Sequence, residues 1–164
     1  LQWPCPELDH PGTQILHATS FSNGVTAALK RIKYRPTKEV VNEDFPFMLT
    51  TGRVLEQFNA GTMTMRTPNK ELRPTDLLMI SRADSERLSI ADGERVRLKS
   101  NYGEAILPAQ ITERVKQGEL FASFHDAEVF LNYATGKVRD RFTQAPEFKV
   151  TAVRVEKLNG GVAK

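Results

Sequence analysis

The residues best suited to chemistry lie in one stretch, "TTGRVLEQFNAGTMT", which follows the short apolar run that starts at Phe45. Threonine hydroxyls can donate hydrogen bonds, and glycine lets the backbone approach a ligand closely. The guanidinium of Arg53 is a planar fork that can bind phosphate through two contacts. Backbone N–H groups that converge in a turn after a strand form an anion site. The stretch therefore suits a pyrophosphate, although threonines in a turn can also satisfy their own backbone without a ligand.

Two later clusters carry groups that could hold a heterocyclic ring. In "SFHDAEVFLNYATG", His125 and Asn132 could bond the polar edge of a base or pterin, or they could be a surface histidine and an amide near a helix end. In "APEFKV", Phe148 could stack on a base while Lys149 neutralises a phosphate. The alternative is a strand start with one side chain pointing in and the next pointing out.

Motifs that carry catalysis or metal binding do not stand out in this sequence. The three histidines are far apart, and the single cysteine, Cys5, lies between two prolines. No H-x-x-x-H or C-x-x-C pair, P-loop, G-x-S-x-G or G-x-G-x-x-G occurs. Cys5 is interpreted as a small apolar contact, and no catalytic residue or metal ligand is predicted.

Composition indicates one globular domain with an ordinary core. The chain has 164 residues, of which 40% are hydrophobic and 26% charged. The net charge of +3 and the pI near 9.1 fit a polyanionic partner without requiring one, because the two signs are well mixed. No apolar run is long enough to span a membrane and no signal-peptide pattern opens the sequence, so we expect a cytoplasmic location.

The elements that must position these clusters are mainly strands. Apolar or alternating runs predict about six of them: "FMLTTG", "LLMIS", "ERVRLKS", "EAILPAQIT", residues 119–124 and "FKVTAVRVEKL". Turn signals every 8–12 residues favour a small closed barrel over a layered α/β sheet. Short helices are predicted over "ADSERLSI", capped by Ser81 or Asp84, and over "DAEVFLNYATG", closed by Gly136. Pro108 within its strand predicts a sheet edge or a bulge.

The predicted domain division follows these elements. Residues 1–44 form a Pro-rich arm and linker, with a strand at about 28–34 or an irregular course there. Residues 45–158 form the barrel, and 159–164 a frayed tail. A Pro-rich arm cannot build a core alone, so we expect the chain to be a piece of a longer polypeptide.

Taken in order, these clusters resemble the C-terminal domain of the molybdopterin-dinucleotide oxidoreductases. They are most similar to the large subunit of molybdenum- or tungsten-dependent formate dehydrogenases. The matching segments are "LQWPCPELDHPGT", "LTTGRV" with "GTMT", the body from "ISRADSERLSI" to "ELFASFH", Asn132 and "PEFKVTAVRVEK". The resemblance implies a mainly β fold, a six-stranded double-psi β-barrel with one or two short helices and an extended N-terminal arm.

The resemblance also implies a role, which is to grip bis-molybdopterin guanine dinucleotide. Carried over by motif, the cofactor-binding residues are Thr51, Gly52, Arg53, Asn59, Gly61, Thr62, Met63, Thr64, His125, Asn132, Phe148 and Lys149. Many members read His-Trp-His-Thr before "GTMT", whereas this chain reads Gln57 to Ala60. The imidazole contacts would then be replaced, with Asn59 as a hydrogen-bonding group, or omitted.

The implied partners are the remaining domains of a parent subunit, with iron–sulfur or other electron-transfer subunits. The ligand of the molybdenum or tungsten lies in another domain of such enzymes, so we expect the isolated chain to lack the cofactor and not to oxidise formate. Two alternatives stay open. One is a nitrate reductase-type member of the same superfamily, and the other is a small basic β-barrel that binds nucleic acid. The formate dehydrogenase interpretation, which we favour, implies no nucleic acid partner and no membrane-spanning segment.

Overall fold

Alternating apolar and polar residues along short segments build the fold of this chain. A computed structural model describes residues 2–21, 24 and 29–158. The chain divides into two compact units, Leu1–Pro36 and Thr37–Lys164. The described part of the first unit contains turns and bends but no helix and no strand, apart from an isolated bridge between Phe21 and Gly24.

Some predictions fall at the edge of the described residues. No strand forms over residues 29–34, so the irregular course is the observed alternative there, while Ala28 and the predicted tail at 159–164 lie outside the described residues. The predicted domain boundary at 44/45 stays a prediction. Among the described residues, no helix is long and apolar enough to cross a membrane.

The described part of the second unit is a closed barrel of six strands. In chain order they are β1 (Phe47–Thr51), β2 (Leu78–Ile80), β3 (Arg95–Ser100), β4 (Glu104–Ile111), β5 (Glu119–Ala122) and β6 (Thr151–Lys157). Their order around the barrel is β1-β5-β2-β4-β3-β6. Two neighbouring pairs, β1 with β5 and β2 with β4, run parallel, and the other pairs are antiparallel. The mainly β, six-stranded closed barrel predicted from the sequence is confirmed.

The core follows from the period of two along each strand. In β3, Val96 and Leu98 are buried while the residues between them are partly exposed, and in β4 Ala105, Leu107 and Ala109 alternate in the same way. Because a one-residue slip would turn each strand inside out, this pattern fixes the register of the β3–β4 hairpin. Closure also removes the free edges that would otherwise invite pairing with other chains.

The interpretation of Pro108 as an edge residue needs correction, whereas a bulge does lie beside it, because Gly93 and Glu94 both bond to the next residue, Ala109. β4 has a strand on each side, because β3 and β2 both pair with it. Pro108 lies at the end of the β3–β4 pairing, opposite Arg95, the first residue of β3. The pairing of β4 with β2 begins at the next residue, Ala109. A proline has no N–H to donate, and at this end position none is needed.

Two short α-helices accompany the barrel, α1 (Asn69–Leu72) and α2 (Arg82–Leu88). Ser81 caps α2 as predicted, since its hydroxyl accepts from the N–H of Asp84 at 3.1 Å. The helix predicted over "DAEVFLNYATG" is a 3-10 helix at Leu131–Ala134. Gly136 does not end it through a left-handed turn. Its N–H donates to the Thr151 hydroxyl at 3.0 Å.

The buried carboxylate of Asp84 ties α2 to the loop before β5. It accepts from the Gly118 N–H at 2.8 Å, the Ser81 hydroxyl at 2.7 Å and the Arg87 guanidinium at 2.9 Å. Burial raises the pKa of this carboxyl, but those three donors lower it by more, so its pKa lies below the ordinary 3.8. The charged form is therefore the one that the fold stabilises.

A second buried carboxylate fastens the segment before β1 to the barrel. Glu39 accepts from the Ala152 N–H at 2.9 Å and from the Tyr102 hydroxyl. The hydrogen bond to Glu39, then burial and the charges of Glu39 and Glu147, raise the pKa of Tyr102 above 10.0. Glu39 thus connects the segment before β1 to the barrel.

Replacing Asp84 tests the first of these contacts. Asp84→Asn keeps the shape but turns one acceptor into a donor, so we expect a loss of about 1–3 kcal/mol of unfolding free energy near neutral pH. Because the folded pKa is lowered, this stabilisation is present above the unfolded pKa and disappears as pH falls through the folded one. Urea unfolding at about pH 7 and about pH 2.5 measures the difference, with Asp44→Asn at an exposed site as the control. A penalty that stays the same at low pH would contradict the assignment.

Titration of the three tyrosines tests the second contact. Tyr102 should ionise at higher pH than an ordinary tyrosine, as followed by tyrosinate absorbance. Since its folded pKa is raised, its contribution to stability is complete below the unfolded pKa and is lost as pH rises through the folded pKa. Glu39→Gln should move the late transition to lower pH, and Tyr102→Phe should remove it. An unchanged late transition in Glu39→Gln would rule out the assigned cause.

Candidate functional site

The barrel topology brings distant parts of the chain to one end of the molecule. Residue Thr51, at the end of β1, is opposite Ala122, at the end of β5. The start of β6 lies beside β1, with Leu49 opposite Thr151, and the start of β2 lies beside β5, with Leu78 opposite Ala122. The segments 52–77, 123–136 and 146–150 therefore leave or enter the barrel at this same end, which we call the loop end.

Hydrogen bonds fasten the segment 146–150 to the end of β1. The Thr51 hydroxyl donates to the carbonyl of Phe148 at 2.8 Å, and the ammonium of Lys149 donates to the carbonyl of Thr51 at 2.5 Å. Thr51 is buried, and its hydroxyl is bonded to the neighbouring segment. Phe148 and Lys149 lie in a turn that precedes β6, which begins at Thr151, so the predicted strand start at Phe148 was three residues early.

Gly52 is required because the backbone passes close to an aromatic ring. A Cβ atom at this position would lie 2.5 Å from the Phe121 ring. Its N–H donates to the carbonyl of Ala122 at 3.1 Å, which extends the pairing of β1 with β5 by one residue. The next residue, Arg53, is thereby directed away from the barrel, where its side chain is exposed.

A cavity of about 460 Å³, which we call the strand-end cavity, opens at the loop end. Its walls combine cationic, amide and aromatic groups, namely Thr51, Arg53, Phe124, Asn132, Pro146, Phe148 and Lys149. Five of the predicted site residues meet here, although they come from segments far apart in sequence. A smaller cavity of about 170 Å³, the loop cavity, shares Phe124 and Asn132 with it and adds Thr62.

Arg53 stands between the strand-end cavity and a third one. The arginine cavity, about 510 Å³, has three guanidinium groups, one carboxylate and an apolar wall; it is lined by Arg53, Val54, Leu55, Glu56, Arg73, Met79, Arg114, Val115 and Phe121. Asn59 accepts from the Nε of Arg53 at 2.7 Å. This bond leaves the terminal nitrogens of the fork to face a ligand, and it gives Asn59 the task of orienting Arg53.

The loop Gly61–Thr64 is built by close packing and internal hydrogen bonds. Gly61 has φ of +70°, and a Cβ there would lie 2.5 Å from the carbonyl oxygen of His125. Thr62 faces the loop cavity and Met63 is exposed. The Thr64 hydroxyl bonds within the protein, so it is already satisfied.

His125 was interpreted as a surface histidine or a ring contact, and the first of these is wrong. It is 2% exposed, with Nδ1 at 2.8 Å from a carboxylate oxygen of Asp76, although that N–H does not point at the oxygen. Its Nε2 has no hydrogen-bond partner among the described residues. His125 lies in none of the three cavity walls. Its backbone carbonyl packs closely against Gly61, so His125 contacts the loop Gly61–Thr64 through its backbone.

Sequence reasoning missed Asp76, which organises the start of this region. Its buried carboxylate accepts from the backbone N–H groups of His125 at 2.9 Å and Asp126 at 3.2 Å. It thereby fixes the segment after β5 to the residue pair before β2. An acidic residue placed immediately before the apolar run "LLMI" was the available signal, but it is also typical of an ordinary turn.

The strand-end cavity has the groups that a dinucleotide attached to a fused heterocycle requires. The fork of Arg53 and the Lys149 ammonium suit phosphate oxygens, and Phe124 and Phe148 offer apolar ring faces. The side-chain amide of Asn132 makes no hydrogen bond within the described residues, so both its donor and acceptor are available to a ring edge. The lining therefore fits a molybdopterin dinucleotide.

Comparison with known proteins gives relatives over nearly the whole chain. It is 36% identical to the F420-dependent formate dehydrogenase subunit alpha of Methanocaldococcus jannaschii over 162 residues, which are 96% of this chain and 24% of that subunit. It is 32% identical to the assimilatory nitrate reductase catalytic subunit of Bacillus subtilis over 160 residues, 94% of this chain and 22% of that protein. The chain thus spans about a quarter of the length of such relatives.

Solved structures support the fold. The acetylene hydratase from Pelobacter acetylenicus superposes with a TM-score of 0.62 over 70% of this chain and 19% of that one, at 11% sequence identity. The family model described as the Molydopterin dinucleotide binding domain matches residues 47–152, which run from the first residue of β1 into β6. The closed barrel, its lined loop end and this match agree, and the chain belongs to the molybdopterin dinucleotide-binding domain family.

Proposed function

We propose that this chain binds bis-molybdopterin guanine dinucleotide at the loop end of the barrel. The observation that carries the proposal is the strand-end cavity, where Arg53, Asn132, Phe148 and Lys149 converge from three separate segments. When bound, the molybdenum or tungsten of this cofactor would supply the redox chemistry. The residues of this chain would bind and orient it.

Nine of the twelve predicted residues take a specific part in this proposal, and Thr62, Met63 and His125 take none. Arg53 and Lys149 neutralise phosphate charge, Asn132 bonds a ring edge, and the aromatic rings exclude water from one face. Gly52 and Gly61 allow the close approach of strands and loops that shapes the cavities. Thr51, Asn59 and Thr64 act through the hydrogen bonds that hold the binding groups in place.

We further propose that the parent protein is a formate dehydrogenase that oxidises formate to CO2. Supporting this are the identities of 33–36% to three archaeal formate dehydrogenase alpha subunits. In this reading, the partners of the chain are the remaining domains of its subunit and an electron-transfer subunit with iron–sulfur clusters. The similarity to the nitrate reductase of Bacillus subtilis keeps that reaction as the second candidate. The cytoplasmic location stays a prediction.

Binding of nucleic acid receives little support from the charge arrangement. Three of the five basic residues on β3 and β6 are paired with carboxylates: Arg97 with Glu104 at 3.5 Å, Arg154 with Glu156 at 2.7 Å, and Lys157 with Glu94 at 3.1 Å. Such pairs reduce the positive potential that would attract a phosphate backbone. The exposed cations of the strands therefore form a mixed-charge face.

Titration of the chain with GDP, and with ADP as the comparison, tests the proposed function. We expect GDP to bind more tightly and to shift the amide resonances of residues 51–64 and 146–149. Arg53→Lys should weaken GDP binding about tenfold, because lysine keeps the charge but loses the fork. Arg95→Lys, at an exposed site on the strand β3, is the matched control. Equal affinity for GDP and ADP, with no shifts at residues 51–64, would refute the proposal.

A further inference from the structure

Gln57 stands out in the loop segment because its polar side chain is buried. It is 3% exposed, whereas its neighbour Phe58 is exposed. The segment 52–77 leaves β1 and reaches β2 without a strand of its own. A long segment of this kind needs internal contacts to adopt one conformation.

The side chain of Gln57 uses its hydrogen-bonding capacity on three parts of that segment. Its Nε2 donates to the carbonyls of Asn69 at 3.1 Å and Arg73 at 3.0 Å, which are at the start of α1 and immediately after it. Its Oε1 accepts from the Thr64 hydroxyl at 2.5 Å. Since two carbonyl oxygens can only accept, they determine which end of the amide carries the nitrogen.

Thr64 passes this contact on to the loop. Its hydroxyl also accepts from the Phe58 N–H at 3.2 Å. The Gly61 N–H then donates to the Phe58 carbonyl at 3.0 Å, and the Met65 N–H donates to the Gly61 carbonyl at 2.9 Å. One buried amide therefore connects α1 with both ends of the loop Gly61–Thr64.

We propose that Gln57 is a positioning residue that fixes the loop Gly61–Thr64 over the loop end, without touching the ligand itself. The proposal rests on the function proposed above, because the loop matters only if a cofactor binds beside it. It also says what the segment Gln57–Ala60 does in place of the family's imidazole contacts. Gln57 holds the loop in position, and Asn59 orients Arg53. Loss of the Gln57 hydrogen bonds lowers the fraction of molecules in which the loop has its binding-competent conformation.

Exchange of the amide for a carboxylate is the sharpest test. Gln57→Glu keeps the size and shape, but it removes both N–H donors and sets one carboxylate oxygen against the two carbonyl oxygens of Asn69 and Arg73. We expect the amide resonances of residues 58–65 to shift or broaden, and GDP affinity to fall about tenfold. Gln144→Glu, the same exchange at an exposed site, should change neither. Gln57→His keeps one donor and one acceptor, so it should recover most of the affinity and the wild-type loop resonances.

Three further outcomes are decisive. Wild-type loop resonances in Gln57→Glu would overturn the proposal. Changes throughout β3 and β6 as large as those in the loop would also overturn it, because Gln57 would then stabilise the barrel in general. If the wild-type chain fails to bind GDP, the proposed function fails, while the loop resonances still decide whether Gln57 positions the loop.

Discussion

The site depends on the closure of the barrel through β1, which pairs in parallel with β5 and antiparallel with β6. This double pairing places the end of β1, the end of β5 and the start of β6 side by side. Residues near positions 51, 124 and 148 therefore share one cavity although the chain between them is long. The apolar residues that close the barrel, such as Leu49, Leu120 and Val153, thus determine where every polar group of the site can lie.

The polar groups of the site are of two kinds: some make hydrogen bonds within the protein, and others remain available to a ligand. The hydroxyls of Thr51 and Thr64 are bonded internally, as is the carboxylate of Asp76. The terminal nitrogens of Arg53 and the amide of Asn132 remain available. A buried polar group without a partner is costly, so the internally bonded groups fix the scaffold before any ligand arrives. The ligand then meets groups that are already oriented.

Alternation along the strands was sufficient to predict the barrel, because each strand has one face in the core and one outside. The cap at Ser81 was equally predictable, since it depends on a contact three residues away. Contacts between distant segments were not predictable in the same way. Nothing in the sequence near His125 reveals that Asp76, before β2, accepts from its backbone. The burial of Gln57 was likewise hidden, because its partners are backbone carbonyls that carry no signal in side-chain type. The region of the site was therefore identifiable, while the division between ligand contacts and supporting contacts required the fold.

Arg53 lines the strand-end cavity and the arginine cavity at once. A single guanidinium in both walls gives the two cavities a shared group through which their occupancies can be linked. A group bound in one cavity affects which rotamer Arg53 adopts and how much of its charge is available in the other cavity. By reciprocity, whatever one occupant does to the affinity of the second, the second does equally to the first. Any coupling between occupants of the two cavities would therefore act through the side chain of Arg53.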